Sequence, residues 1–509
     1  MGEKELNSFT KKDLISLVLQ LLKEGNIAEV VKENLLQKKE IATLIKKLNN
    51  MEEKLSYAYE KIKELEDRIS KDSHNSSKPS SSDGFKKPIR TKSLRKKSGK
   101  KPGGQKGHQG VTLQKEENPD HIVSHGVDEC QNCRCNLKET QPCHTEKHQV
   151  FDIPPMNIEV TEHQAKWKHC PKCGKLNKAK FPKEAQNEVQ YGNRLKAMVN
   201  YLMCYQLIPY ERTKEIFQDL FKRSPSPGSF YNMTEECFNH LEKTEEQIMQ
   251  QIIDSYVGNF DESGMRINNK LSWLHNASTK ELTHYAVHAK RGNEAMNDIG
   301  ILPNFRGRAI HDFWKCYFHY LCKHGLCNAH HLRTLVYIYE TEEAEWAKDI
   351  TACLLEIKEM VDQEKLTTDQ LAPEMITFFE KKYDDIIQEG YEFYKKQKPP
   401  PSQKKKRGRK KQSTGKNLLD RLDERREEVL AFMYDFRVPF DNNLAERDIR
   451  MIKLRMKISG CFRSEKGAEF FCRIRGYIST ARKQGINVYE ALYNVFIDTP
   501  CIPSLMGAE

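Results

Sequence analysis

Between residues 255 and 288 the apolar pattern of the chain takes on a period of two. "SYVGNFDES", "KLSWLHNAST" and "LTHYAVHA" follow one another, divided only by the polar stretches "INNK" and "KE". Runs of this length, rich in β-branched and aromatic residues and separated by turn formers, predict an antiparallel meander. The first run also sets Asp261 beside Glu262. A carboxylate that faces a core is costly unless it is paired or bound to a cation, so the two acids mark either an exposed strand end or a site.

The flanking sequence is helical. Residues 11 to 37 read as an amphipathic helix, after which Ile41, Leu48, Leu55, Ile62 and Ile69 recur every seven residues, with Leu44, Met51, Ala58 and Leu65 three residues behind them. Such unbroken heptads predict a coiled coil, the alternative being one long helix packed on its own domain. The segment "SHNSSKPSSSDG" (73 to 84) has a linker's composition. Residues 191 to 250 and 329 to 395 are helix-like, the run "GRAIHDFW" (307 to 314) is strand-like and contains Asp312, and 442 to 457 is a helix with Ala445, Ile449, Ile452 and Met456 as its apolar stripe.

A chain of 509 residues, 38% hydrophobic and 31% charged, is long enough for several domains and for a sizeable core. No stretch approaches the roughly 20 apolar residues of a membrane-spanning helix, and this predicts a cytoplasmic, nucleoid-associated protein with no membrane partner. Its 15 cysteines are odd in number, which favours reduced thiols over a disulfide framework. The net charge of +12 is concentrated in residues 86 to 106, including Lys96, Lys97, Lys100 and Lys101, and in "KKKRGRKK" at 404 to 411, including Arg407 and Arg409. Cationic stretches of this kind are either solubilising linkers or contacts to a polyanion, most simply the backbone of nucleic acid.

Two Cys-x-x-Cys knuckles, Cys130 with Cys133 and Cys170 with Cys173, supply the four thiolates of a closed structural Zn²⁺ site. Cys135, Cys143, His144 and His148 lie between them as possible substitutes. Cys327 and His330 form a Cys-x-x-His pair that lacks further partners, and a supporting role beside Asp312 fits it better than zinc. Three acids stand on separate elements: Asp261, Asp312 and Glu446. A few carboxylates on rigid elements suffice to hold two Mg²⁺ (or Mn²⁺) ions for phosphoryl transfer. Arg450, Lys453 and Lys457 share the helix face of Glu446 and would lay a cationic track for DNA beside them.

The order of "NSSKPSSSDG", "GGQKGHQG", "DESGMRINNKLSWLH", "HDFWKCYF", "LCNAHHLRTL" and "NNLAERDIRMIKLRMKISGCFRS" resembles the transposases of the IS-sixty-six insertion-sequence family. The resemblance implies a multidomain α+β chain with an N-terminal coiled coil, a zinc-binding module, and a ribonuclease-H-like α/β catalytic domain with a helical insertion. The corresponding boundaries are a coiled-coil oligomerisation region (1–72), a linker with its basic arm (73–106), the zinc module (107–190) and a helical region that binds DNA or connects (191–254). The catalytic domain is expected at 255–328 and 436–485, the insertion with its basic loop at 329–435, and a tail at 486–509. The resemblance also implies a DDE triad of Asp261, Asp312 and Glu446 with two Mg²⁺ ions and one structural Zn²⁺. The expected partners are double-stranded DNA, as terminal inverted repeats and target, at least one further copy of the chain, and possible accessory proteins of the same element. Glu262, on the alternate strand face, is then a neighbour rather than a ligand. A zinc-dependent DNA-binding regulator using the same fold as an inactive scaffold is the competing expectation.

Overall fold

The computed structural model describes residues 9–23, 26–70, 113–396 and 412–501. The chain divides into two compact units. One comprises 90–311, 315–324 and 442–509, and the other 1–89, 312–314 and 325–441. Lys96, Lys97, Lys100, Lys101, Arg407 and Arg409 lie outside the described residues.

The first unit begins with a small hairpin of β1 (Trp167–His169) and β2 (Leu176–Lys178). Helices α3 (Asn193–Asn200), α4 (Tyr210–Phe221), α5 (Pro227–His240) and α6 (Glu242–Ile253) follow. The meander then appears as β3 (Val257–Ile267), β4 (Lys270–Ser278) and β5 (Thr283–His288). Its first turn is Asn268-Asn269, with φ of 46° and 62°. Two successive positive φ values are the geometry whose twist matches a two-residue hairpin, and asparagine tolerates them. The second turn is the tight connection ahead of β5. After α7 (Asn293–Ile299) the chain returns as β6 (Arg308–His311), which pairs in parallel with the start of β3. A Cβ at Gly307 would lie 2.3 Å from the Ser255 carbonyl oxygen, so only glycine lets β6 enter beside β3. With β7 (Lys323–Leu326) the sheet order is β5-β4-β3-β6-β7.

Continuing into the second unit, α8 (Asn328–Glu342), α9 (Glu345–Glu364), α10 (Pro373–Lys396) and α11 (Thr414–Glu424) form an antiparallel helical array. Its interior holds Leu335, Trp346, Ile350, Leu354, Phe379, Tyr383, Leu419 and Leu422, and the Tyr383 hydroxyl donates to the Leu422 carbonyl at 2.9 Å. The same unit carries α1 (Lys11–Lys23) and α2 (Asn26–Ser70). The heptad residues of α2 from Ile41 to Ile62 are exposed, Leu48 by 58% and Leu55 by 59%. Over that stretch the apolar seam has no tertiary packing to stabilise it among the described residues.

The chain then re-enters the first unit through α12 (Asn443–Ser459), α13 (Glu465–Lys483) and α14 (Val488–Phe496). Ile449 and Ile452 of α12 join Met265, Leu274, Tyr285, Phe471 and Ile478 in one core. The segment expected as a tail contributes Val488, Leu492, Val495 and Phe496 to that same core, alongside Ala197 and Phe230 from the helices before the sheet. Arg475 is buried within it and donates to the Cys204 and Tyr205 carbonyls at 3.2 and 3.1 Å, which satisfies the π-helical turn Tyr201–Tyr205.

Candidate active site

Alternation along β3 puts Asn259, Asp261 and Ser263 on the face that receives α12. Asn442, directly ahead of that helix, stands at the N-cap. An N-cap asparagine ordinarily accepts from its own helix's free N–H groups, but this side chain makes no such bond. Its Nδ2 donates instead to the Phe260 carbonyl at 2.7 Å, and its Oδ1 accepts from Asn259 Nδ2 at 2.8 Å. Both asparagines are buried, so each lost bond would leave a desolvated amide. The double contact brackets Asp261 on one side and fixes the first turn of α12, where Glu446 lies, on the other. Asp261 Oδ1 accepts from the Glu262 backbone N–H at 2.9 Å, and both Asp261 and Glu446 remain half-buried.

A third amide completes this face. Asn276 on β4 sits opposite Asp261 in the strand register, and its Nδ2 points to the Ala445 carbonyl at 3.5 Å, one residue before Glu446. Its Oδ1 is buried and has no hydrogen-bond partner among the described residues. Carboxylate and amide oxygens are hard donors, so this face fits Mg²⁺ chemically, and the orphaned Oδ1 is a natural acceptor for a metal-bound water.

Glu262 turns to the opposite face. It takes Arg291 Nε at 2.8 Å and the Tyr317 hydroxyl at 2.5 Å, a buried and fully paired carboxylate. Asp448 also points away from Glu446. It holds Lys483 at 2.8 Å and Thr283 at 3.3 Å, while burial lowers the Lys483 pKa against the opposing pull of Asp448. On α12, Arg450 and Lys457 are exposed and Lys453 is half-buried.

The second unit holds Asp312, which follows β6 directly in the chain. Its Oδ1 accepts from the Trp314 N–H at 2.9 Å. Arg421 of α11 lies near it and stacks over Phe313 at 4.0 Å. Burial pushes the Arg421 pKa down to about 10 against the attraction of Asp312. His330 and His331 are pushed down to about 3, chiefly by burial and then by neighbouring arginines, so both are neutral at physiological pH. Cys327 is buried at the N-cap of α8, and its Sγ lies within 4.8 Å of a His330 ring nitrogen.

The cysteine knuckles share one backbone design. The Cys130 N–H donates to the Cys135 carbonyl and the Arg134 N–H to the Cys130 carbonyl, and Cys170, Lys175 and Gly174 repeat the pattern, each bond 2.9 to 3.0 Å long. Backbone N–H groups of Cys133 and Asn132 lower the Cys130 pKa to about 7, and those of Cys173 and Lys172 lower that of Cys170. Amide-stabilised thiolates of this kind suit Zn²⁺. The structure gathers Cys130, Cys133 and Cys135 within 4.8 Å of one another; Cys170 and Cys173 form their own knuckle outside that group.

A family model described as "Transposase IS66 family" matches residues 188–470, more than half of the chain. The chain belongs to the IS66 transposase family. It is accordingly a DNA-processing enzyme by kinship. A second family, of unknown function (DUF6444), matches residues 29–114. No curated protein matches the chain.

In this transposase the sequence pattern did not reveal Asn259, Asn276, Asn442 or Arg421. A period of two does place Asn259 on the Asp261 face, and the pair Asn442-Asn443 marks a helix start, but contacts between residues 183 positions apart leave no local signature. Asn442→Asp keeps the shape and the bond from Asn259, while it sets a carboxylate against the Phe260 carbonyl. The expected result is a loss of about 2 kcal/mol or more of folding stability, read by denaturant unfolding. Unchanged stability would show that the two amide bonds do not hold α12.

Proposed function

We propose that this protein is a DDE-type transposase that cleaves the ends of its own insertion sequence and joins them to target DNA. The observation that carries this reading is the amide clamp from Asn442 to β3, which ties the helix of Glu446 to the strand of Asp261. The sheet order, with three antiparallel strands and a parallel return by β6, is compatible with a ribonuclease-H-like core interrupted by the helices of residues 328–424. Asp261, Asp312 and Glu446 would hold two Mg²⁺ ions, which when bound supply activation of the attacking oxygen and neutralisation of the leaving one. The chain's own residues orient the carboxylates: Asn442 sets the helix, the Trp314 N–H sets Asp312, and Asn276 offers an acceptor to a water's proton. In the first reaction water attacks the phosphorus and the bond to the 3′ oxygen breaks, freeing a 3′-hydroxyl; in the second that hydroxyl attacks a target phosphodiester and displaces its 3′ oxygen.

The remaining parts take supporting roles. Lys96, Lys97, Lys100, Lys101, Arg407, Arg409, Arg450, Lys453 and Lys457 would contact DNA phosphates, whether of the terminal repeats or the target. One Zn²⁺ would be closed by Cys130, Cys133, Cys170 and Cys173, with the exposed seam of α2 pairing protomers.

Three measurements test these assignments. Glu446→Gln should reduce Mg²⁺-dependent end cleavage by several orders of magnitude with DNA binding intact, whereas Asp448→Asn should lower thermal stability through Lys483 and retain cleavage. Near-normal cutting by Glu446→Gln removes it from the triad. For zinc, Cys135→Ser should keep one metal per chain by elemental analysis, and Cys170→Ser should lose it; the reverse pattern would assign the site to the first knuckle alone. Replacing Leu55 and Ile62 by lysine should give monomers by light scattering, and an unchanged mass would show that the α2 seam does not join copies.

A further inference from the structure

Three arginines crowd the end of α11 and the turn after it, and they differ in one respect. Arg425 binds Glu428 at 3.0 Å and Arg426 binds Asp384 at 2.9 Å. Arg421 forms no hydrogen bond or ion pair with any described residue; its Nε is buried without a hydrogen-bond partner, which by itself does not set it apart from its two neighbours. A guanidinium carries five N–H donors in a rigid fork, and on the half-buried Arg421 the one on Nε is desolvated without a partner, which is unfavourable. Its position in the last turn of α11 gives some relief from the helix dipole, but that acts equally on a solvated side chain.

The surroundings state what would satisfy it. One ring face of the guanidinium is covered by Phe313, so its donors are confined to the plane that stack leaves open. Asp312 attracts it, with no hydrogen bond between them. If Asp312 ligates a metal ion, its negative charge is shared with that ion, and its attraction for Arg421 weakens. A planar donor fork in such a place matches a phosphate, which accepts two parallel N–H bonds.

We propose that Arg421, supplied by the helical array, grips a phosphate of the DNA substrate beside Asp312 and stabilises the charge that develops there during strand cleavage. The proposal rests on the reading of Asp312 as a metal ligand. It gives the inserted helices a catalytic contribution and not only a structural one.

The test uses the full-length protein and a duplex bearing the terminal repeat of its own element. Single-turnover cleavage in Mg²⁺ is compared for the unsubstituted protein, Arg421→Gln, Arg421→Lys and Asp312→Asn. Affinity in Ca²⁺ is measured with either a natural phosphodiester or an uncharged methylphosphonate at the cleavage position. Arg421→Gln should cut about 100-fold more slowly with an unchanged melting temperature, and Arg421→Lys should recover part of the rate. The methylphosphonate should weaken binding by the unsubstituted protein about tenfold and hardly affect Arg421→Gln. An equal methylphosphonate penalty in both proteins overturns the proposal. So does a fall in melting temperature for Arg421→Gln that Asp312→Asn reverses, since Arg421 would then be a counter-ion. Stabilisation by millimolar inorganic phosphate that depends on Arg421, with DNA affinity indifferent to it, would assign the site to a free anion and overturn the DNA contact. Normal cutting by Asp312→Asn would remove Asp312 from the triad, and the methylphosphonate comparison would still decide the role of Arg421.

Discussion

The arrangement of the transposase's first unit depends on where one asparagine side chain directs its amide. An N-cap residue that satisfied its own helix would leave the first turn of α12 without a polar tie to β3, while Asp448 still held the middle of the helix to Thr283 and Lys483. Asn442 instead bonds to the backbone and side chain of β3, and the core contacts of Ala445, Ile449 and Ile452 follow from that anchor. Hydrophobic packing is non-directional and tolerates small shifts; buried amide bonds of 2.7 and 2.8 Å do not. The clamp therefore specifies the register between the strand of Asp261 and the helix of Glu446, as the proposed metal site would require.

Buried polar groups in this protein fall into two classes. Glu262 with Arg291 and Tyr317, and Asp448 with Lys483 and Thr283, are saturated, and each ties neighbouring elements together. Asn276 Oδ1 and Arg421 Nε are buried without a hydrogen-bond partner among the described residues, the first opposite Asp261 and the second near Asp312. An unpaired buried donor or acceptor costs about 1 to 3 kcal/mol, and an ordered water or a ligand relieves that cost.

Much of the frame was legible in the residues. The period-two runs became β3, β4 and β5, the Asn268-Asn269 pair became a hairpin turn, and the stripe of Ala445, Ile449 and Ile452 faced the core. These features are local, and local pattern records them. The alternation that sent Glu262 away from Asp261 was legible for the same reason. The clamp, the orphaned amide and Arg421 were not, because each depends on residues brought together from distant parts of the chain. The role of residues 488–496 in the core escaped notice for a related reason: a short apolar helix after a glycine reads alike whether it packs or trails. Cys135 joining the first knuckle reflects the close return of the chain after Arg134, whose φ of 57° local sequence does not advertise.

The central proposal is that Asp261, Asp312 and Glu446 serve as divalent-metal ligands, with the Asn442 clamp tying the strand of Asp261 to the helix of Glu446. The most direct measurement is a crystal of the full-length protein with Mn²⁺, with anomalous scattering collected at the manganese edge. The account predicts anomalous density coordinated by all three carboxylates, with an ordered water between the metal and Asn276 Oδ1. Manganese bound elsewhere, or at any one of these acids without the other two, would contradict it.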